Sequence, residues 1–301
     1  MKLKILTFNW HEPYLCLLSR MNHEIFVVEP EIAPGHFRKW DQNMRPVPNN
    51  VCLISLEQAL KNLEQGEIDC IIAHNVKDLI KVIDYSLPKI MVFHNCLSTE
   101  IKLGKNKIDR KDYLQKITPL LNGVTKVFIS EMKKADWDIQ GEVVLPGLDV
   151  SQYGGYTGNE KRVLRVGNLL KERDLMMGYS FGEKVLKGHP LLTLGMNHGI
   201  PESRISDGFD DLLKQFKNNR VYINTTMDGF EDGYNLAMLE AMATGMPVVT
   251  SQNKTSPIFD GINGFSSNDT DYLSRCIEKF MKDPVLAKEM GIQARKTVAE
   301  K

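Results

Sequence analysis

Short runs of Val- and Ile-rich sequence recur along this chain at intervals that leave room for a helix between neighbours, and this alternation constrains the fold more than any other feature. In the first half the runs are residues 3–8, 24–28, 51–55, 70–73, 90–93, 127–130 and 143–145. They lack strict alternation of apolar and polar positions, as expected of strands covered on both faces. Stretches with helical spacing, such as 56–65 and 76–86, lie between them. The order strand, helix, strand therefore repeats. Right-handed crossovers would place helices on both sides of a parallel sheet.

The second half repeats the pattern, with strands expected at 163–166, 191–194, 221–225 and 247–250. Helices fit 175–187, 210–218, 236–243, 271–282 and 284–299. A chain of 301 residues is about twice the usual single-core length, so two domains are expected, 1–150 and 151–301. Residues 152–159 carry Gly154, Gly155 and Gly158 and no aliphatic side chain, which suits an exposed linker. Two open α/β domains facing each other would leave a cleft lined by the carboxyl ends of their strands, where ligands of such folds usually sit.

Charge and cysteine content narrow the function classes. Lys plus Arg and Asp plus Glu each total 38, with 19 of each on either side of residue 150. A nucleic-acid binder usually carries a basic excess, so no nucleic-acid partner is expected. The five cysteines (Cys16, Cys52, Cys70, Cys96 and Cys276) are widely spaced and form no C-x-x-C pair, which argues for reduced thiols in the cytoplasm. No apolar run approaches the roughly 20 residues needed to span a bilayer, and the amino terminus lacks a signal-peptide core. Membrane contact is expected to be peripheral at most. The candidate is 102–116, with Lys102, Lys105, Lys107, Arg110, Lys111 and Lys116 against Asp109 and Asp112. A solvated helix face explains the same charges.

The stretch that carries most chemistry runs from Asp232 to Val249. Gly233 permits close approach of the backbone to a ligand, and Asn235 stands at the start of a helix whose buried face is Leu236, Leu239, Met242 and Ala243. Gly245 and Pro247 end that helix before a Val-Val strand. Its amino terminus, around Gly233, Tyr234 and Asn235, would offer free amides and a positive dipole end to a diphosphate. Asp232 and Glu240 would lie roughly 12 Å apart at the helical rise, beyond the reach of a glycosidase acid/base couple. Separated carboxylates around an anion site suit hydroxyl groups at the two ends of a nucleotide sugar. Taken alone, Asp232 fits a helix cap equally well, and Glu240 a solvated acid.

This block resembles the E-x7-E region of the retaining glycosyltransferases of family four, with Asp232 where the family usually has Glu and Glu240 at the second acid. Glu231 is a weaker candidate for the first position. Residues 165–173 are similar to the family's strand, glycine and basic loop, in which Gly167 precedes two cationic positions. Asn168 stands at the first and Arg173 at the second, with Lys171 able to supply the missing charge. The strands ending at His74 and His94 look like the family's two amino-domain strands that end in histidine. Taken alone, a histidine at a strand end is more often a satisfied structural group. Residues 127–131, 144–149 and 256–265 resemble further family segments. Where the family's first loop often has paired glycines, this chain has Trp10, His11 and Glu12. Trp10, His11 and Tyr14 could stack on a sugar acceptor or pack into that loop.

The resemblance implies an α/β fold of the GT-B type, two Rossmann-like, doubly wound parallel-sheet domains facing a cleft. It implies a cytoplasmic, retaining, hexosyl-type glycosyltransferase of polysaccharide or glycoconjugate biosynthesis, with a nucleotide diphosphate sugar as co-substrate and a glycan, lipid-linked or small-molecule acceptor. In that reading Gly167, Lys171, Arg173, Gly233, Tyr234 and Asn235 hold the diphosphate, Glu240 the ribose, and Asp232 and His94 the donor sugar. No D-x-D motif occurs where a metal-dependent transferase would need one, so no metal and no other cofactor is expected. The absence of G-x-G-x-x-G after a strand disfavours a dehydrogenase, and the absence of G-x-x-x-x-G-K-[ST] a P-loop ATPase. A sugar-nucleotide epimerase and a non-catalytic sugar-nucleotide-binding scaffold are the competing readings.

Overall fold

The computed structural model describes residues 2–29, 39–104 and 108–300, and in it the Val- and Ile-rich runs become parallel strands. The chain divides into two compact units, 1–146 and 147–301, four residues ahead of the expected division.

Among the described residues, the first unit forms a seven-stranded sheet in the order β3-β2-β1-β4-β5-β6-β7. Its strands are β1 (Lys4–Phe8), β2 (Glu24–Val28), β3 (Val51–Ile54), β4 (Cys70–Ala73), β5 (Lys89–Phe93), β6 (Thr125–Phe128) and β7 (Glu142–Val143). Every pairing is parallel, so all carboxyl ends share one edge. The order reverses between β1 and β4, which is the switch point where open sheets of this kind take ligands. Leu6, Ile71, Leu79 and Phe128 are fully buried on its faces.

The second unit holds a six-stranded parallel sheet in the order β10-β9-β8-β11-β12-β13. Its strands are β8 (Glu160–Val166), β9 (Leu191–Leu194), β10 (Ser203–Arg204), β11 (Asn219–Asn224), β12 (Val248–Thr250) and β13 (Phe265–Ser266). Here the switch point lies between β8 and β11. All six residues of β11 are buried, the signature of a central strand with helices on both faces.

Several expected boundaries move for local reasons. The run at 127–130 shifts to β6 because Ser130 leaves the sheet to cap the Glu131–Trp137 helix, its side chain accepting from the Lys133 amide. The run at 143–145 shortens to β7, and Val144 and Leu145 are exposed. The helix expected at 76–86 ends at Lys81. That expected at 175–187 breaks into Asp174–Met177 and Tyr179–Leu186. Gly178 sits between them at φ 57°, and a Cβ there would lie 2.1 Å from the Thr225 carbonyl oxygen. Nor is 152–159 an exposed linker. Tyr153 is buried, the Thr157 and Gly158 amides both bond the Lys217 carbonyl, and Arg295 bonds the carbonyls of Val150 and Tyr153.

Among the described residues no helix is long and apolar enough to cross a membrane. Lys105 and Lys107 of the basic segment lie outside the described residues. Arg110 is tied to Asp136 by its side chain and to that residue's carbonyl, and Asp109 caps the Arg110–Ile117 helix.

Candidate functional site

In the second unit the expected site residues collect at the switch point. β8 ends at Val166, and the Gly167 amide bonds the Leu194 carbonyl at the matching end of β9. The following loop is built by two asparagines. Asn168 Oδ1 accepts from the Met196 amide at 2.8 Å, and Asn197 bridges the Gly167 carbonyl and the Leu170 amide. Asn168 therefore shapes the loop where the family resemblance has a cation. Leu169 takes the left-handed conformation, φ 53°, and its carbonyl receives the Arg173 amide.

Lys171 and Arg173 then differ in kind. Lys171 is exposed at the rim, whereas Arg173 is partly buried, its Nη2 4.0 Å from the Met176 sulfur. Burial lowers the Arg173 pKa and the Glu231 carboxylate pushes it back up. Arg165, two residues before Gly167, is spoken for: it pairs with Glu183 at 2.8 Å and packs on the Tyr179 ring. The loop carrying Arg173 meets the segment after β11, where the Met227 amide bonds the Met176 carbonyl and the Glu231 amide bonds Met227.

That segment leads to the Leu236–Thr244 helix. Its cap is Asn235, whose side chain accepts from the Met238 amide at 2.9 Å and donates to Asn224 Oδ1. Asp232 is thus not the cap. It is 2% exposed and its amide bonds Glu231 Oε1. The cap takes one amide of the first turn, which leaves those of Leu236 and Ala237 with no acceptor inside the helix. Gly233 also meets a packing demand of its own. Its amide donates to Thr255 Oγ1, and a Cβ would lie 2.5 Å from the Ser256 nitrogen, so a neighbouring backbone already requires the glycine. Tyr234 is partly buried at the same turn. Gly245 ends the helix in the left-handed region, φ 89°, as the sequence indicates.

Glu240 is not a solvated acid. It is 4% exposed, and Oε1 accepts from the Tyr153 hydroxyl at 2.9 Å. A buried carboxylate demands such a donor. Sequence reasoning missed Tyr153 because no local spacing links it to a helix 87 residues later. It also missed Asn253 and Thr255, which hold the Glu231 carbonyl and the Gly233 amide.

In the first unit His94 follows β5 at the carboxyl edge, where the strand pattern puts it. It is partly buried, with Nε2 3.0 Å from Nδ1 of His74, the residue that follows β4. His74 Nε2 lies 2.9 Å from the Thr7 hydroxyl of β1. Trp10 stacks on the His94 ring at 5.8 Å and Tyr14 meets it edge-on at 4.6 Å, so these aromatics pack on the histidine. Burial pulls the His74 pKa down to about 3, with His11 adding to the effect. It holds His94 well below its ordinary value too, reinforced by His74, His11 and Lys133. Both rings are neutral at ordinary pH. Among the described residues no group of three His, Cys, Asp or Glu side chains is placed to hold a metal ion.

No family model matches the sequence, and no curated protein matches it. Solved structures do resemble it. Anabaena Alr3699/HepE in complex with UDP and glucose aligns over 99% of this chain and 95% of that one, with a TM-score of 0.70 at 15% identity. A glycosyltransferase from Rickettsia africae covers 99% and 94% at 0.67 and 13% identity. A UDP-forming α,α-trehalose-phosphate synthase from Burkholderia xenovorans covers 100% and 96% at 0.63 and 9% identity. At these identities the likeness carries the fold, which is GT-B: two Rossmann-like parallel-sheet domains.

Proposed function

We propose that this chain transfers a hexosyl group from a nucleotide diphosphate sugar to a hydroxyl-bearing acceptor, with retention of anomeric configuration and without a metal. The observation that carries the reading is the set of groups at the second sheet's switch point. Arg173, partly buried, the Leu236 and Ala237 amides at a helix amino terminus, and the buried carboxylates Asp232 and Glu240 belong to one pair of adjoining loops and the helix they lead into. The GT-B fold and the relatives crystallised with UDP and with UDP-glucose support it.

In this reading Arg173, the helix dipole and Lys171 at the rim stabilise the negative charge that builds on the departing diphosphate, the largest electrostatic demand of the step. Gly167 keeps the β8 turn narrow, and Gly233, Tyr234 and Asn235 shape the phosphate end of the helix. Glu240, oriented by Tyr153, accepts hydrogen bonds from ribose hydroxyls. Asp232 acts on the donor sugar. The acceptor is a glycan, a lipid-linked saccharide or a small molecule, and the basic segment 102–116 is where an anionic membrane surface would be met.

The test is donor hydrolysis without acceptor. The full chain, incubated with UDP-, GDP- and ADP-hexoses, is expected to release nucleoside diphosphate slowly, unaffected by a chelator, and the first-formed sugar to keep the donor's anomeric configuration. Arg173→Ala should lower the rate about 100-fold or more, the usual effect of removing one transition-state donor. Bound donor recovered unchanged would mark a scaffold, and donor recovered with an inverted ring carbon an epimerase.

A further inference from the structure

A second concavity lies at the far end of the Leu236–Thr244 helix from Asn235, roughly 13 Å of helix away and wholly within the second unit. Its volume is about 490 Å³, the size of a small-molecule site, and no acidic side chain lines it. One wall is a stripe of the Pro284–Ala299 helix. Lys288, Ile292, Arg295 and Lys296 stand there at i, i+4, i+7 and i+8, which puts them on one face. Another wall is Gly154, Gly155 and Tyr156. Neither glycine amide has an acceptor among the described residues. The chain as a whole balances 38 basic residues with 38 acidic ones, so three cations with no acid around one cavity are a local excess.

Arg295 joins the two walls. Its Nη1 and Nη2 donate to the carbonyls of Tyr153 and Val150 at 3.0 and 3.1 Å, and a Cβ on Gly154 would lie 3.6 Å from Nη1. Two of the five guanidinium N–H donors are thereby used and three remain, on a head already held in place. Gly155 sits beside a further cation, since a Cβ there would lie 3.7 Å from Cε of Lys217. The Tyr156 hydroxyl donates to the Arg220 carbonyl at 2.6 Å, which fixes its ring, and with Ile292 it gives the cavity an apolar surface. Successive backbone amides beside a fixed guanidinium suit the double charge and several acceptor oxygens of a phosphate, and the apolar surface suits a carbon body attached to it. We propose that this cavity is a second ligand site, for a small organic phosphomonoester whose phosphate meets the Gly154 and Gly155 amides, Arg295, Lys288 and Lys296. It needs nothing from the switch point and stands whether or not the chain transfers a sugar.

The probe is phenyl phosphate, titrated into the ¹⁵N-labelled full chain beside inorganic phosphate and phenol. The Gly154 and Gly155 amide signals should move, and phenyl phosphate should act at concentrations about tenfold or more below either fragment. Lys288→Ala combined with Lys296→Ala, at two exposed positions, should weaken that response about tenfold with the rest of the amide spectrum unchanged. Lys288→Arg combined with Lys296→Arg should keep it. Arg295→Ala would also release the carbonyls of Val150 and Tyr153, so the two lysines report on the site more cleanly. Glycine amides that stay in place at millimolar phenyl phosphate overturn the site. Unchanged affinity in the double alanine variant overturns its recognition of charge. Equal affinity for inorganic phosphate overturns the organic body, and equal affinity for phenol overturns the phosphate.

Discussion

His74 is 3% exposed, and that burial penalises imidazolium enough to bring its pKa down to about 3 from an ordinary 6.5. His94 follows in the same direction. Each therefore takes up a proton in the unfolded chain before it does so in the folded one. The stability this contributes is fully present above about 6.5 and is lost as pH falls. Asp78 works the opposite way: burial raises its pKa from 3.8 to about 6, so its contribution is lost as pH rises through about 6. Because the two effects oppose each other between those values, bulk stability is a poor reporter of the histidines. Ring chemical shifts are a direct one. Lowering pH from about 7 to about 5 should leave the His74 and His94 ring signals at their neutral positions, and a midpoint near 6.5 for either would contradict the buried neutral pair. His74 and His94 were legible in the sequence as strand-end histidines. That they bond each other was not, because β4 and β5 bring together residues 20 positions apart.

The Leu236–Thr244 helix shows what local sequence can specify. Asn235 at its cap and Gly245 just past its end are terminal signals with backbone causes, and its bounds follow from them. Gly178 was less legible: the Cβ clash that demands glycine there comes from Thr225, on a different strand's exit. Gly233 gives the same lesson, since its freedom is used against Ser256. A further glycine sets helix packing. Gly291 in the Pro284–Ala299 helix lies against Gly245, and a Cβ there would sit 1.9 Å from the Gly245 carbonyl oxygen. Both atoms at that contact are backbone, so neither can yield as a flexible side chain would. Gly291→Ala should cost about 1–3 kcal/mol or more in denaturant unfolding, while Gly147→Ala, with nothing within 4 Å of its Cβ, should be close to neutral.

At the scale of the whole chain, the repeating strand and helix pattern was enough to read two parallel sheets, because strands buried on both faces leave continuous apolar runs. The short edge strands β10 and β13 carry two residues each, too few to leave a pattern, and went unread. The glycine-rich 152–159 stretch was misread as a linker because composition cannot reveal that Arg295 and Lys217 hold its backbone. All the groups proposed to hold the diphosphate lie in the second unit, so the proposed function places nucleotide recognition in residues 147–301. Calorimetric titration of the full chain with UDP, GDP and ADP tests that assignment most directly. The account predicts measurable binding of at least one diphosphate, weakened about tenfold to 100-fold in Arg173→Ala, the loss expected of a charge-assisted hydrogen-bond pair. Equal affinity in Arg173→Ala, or no binding of any of the three by the wild-type chain, would contradict it.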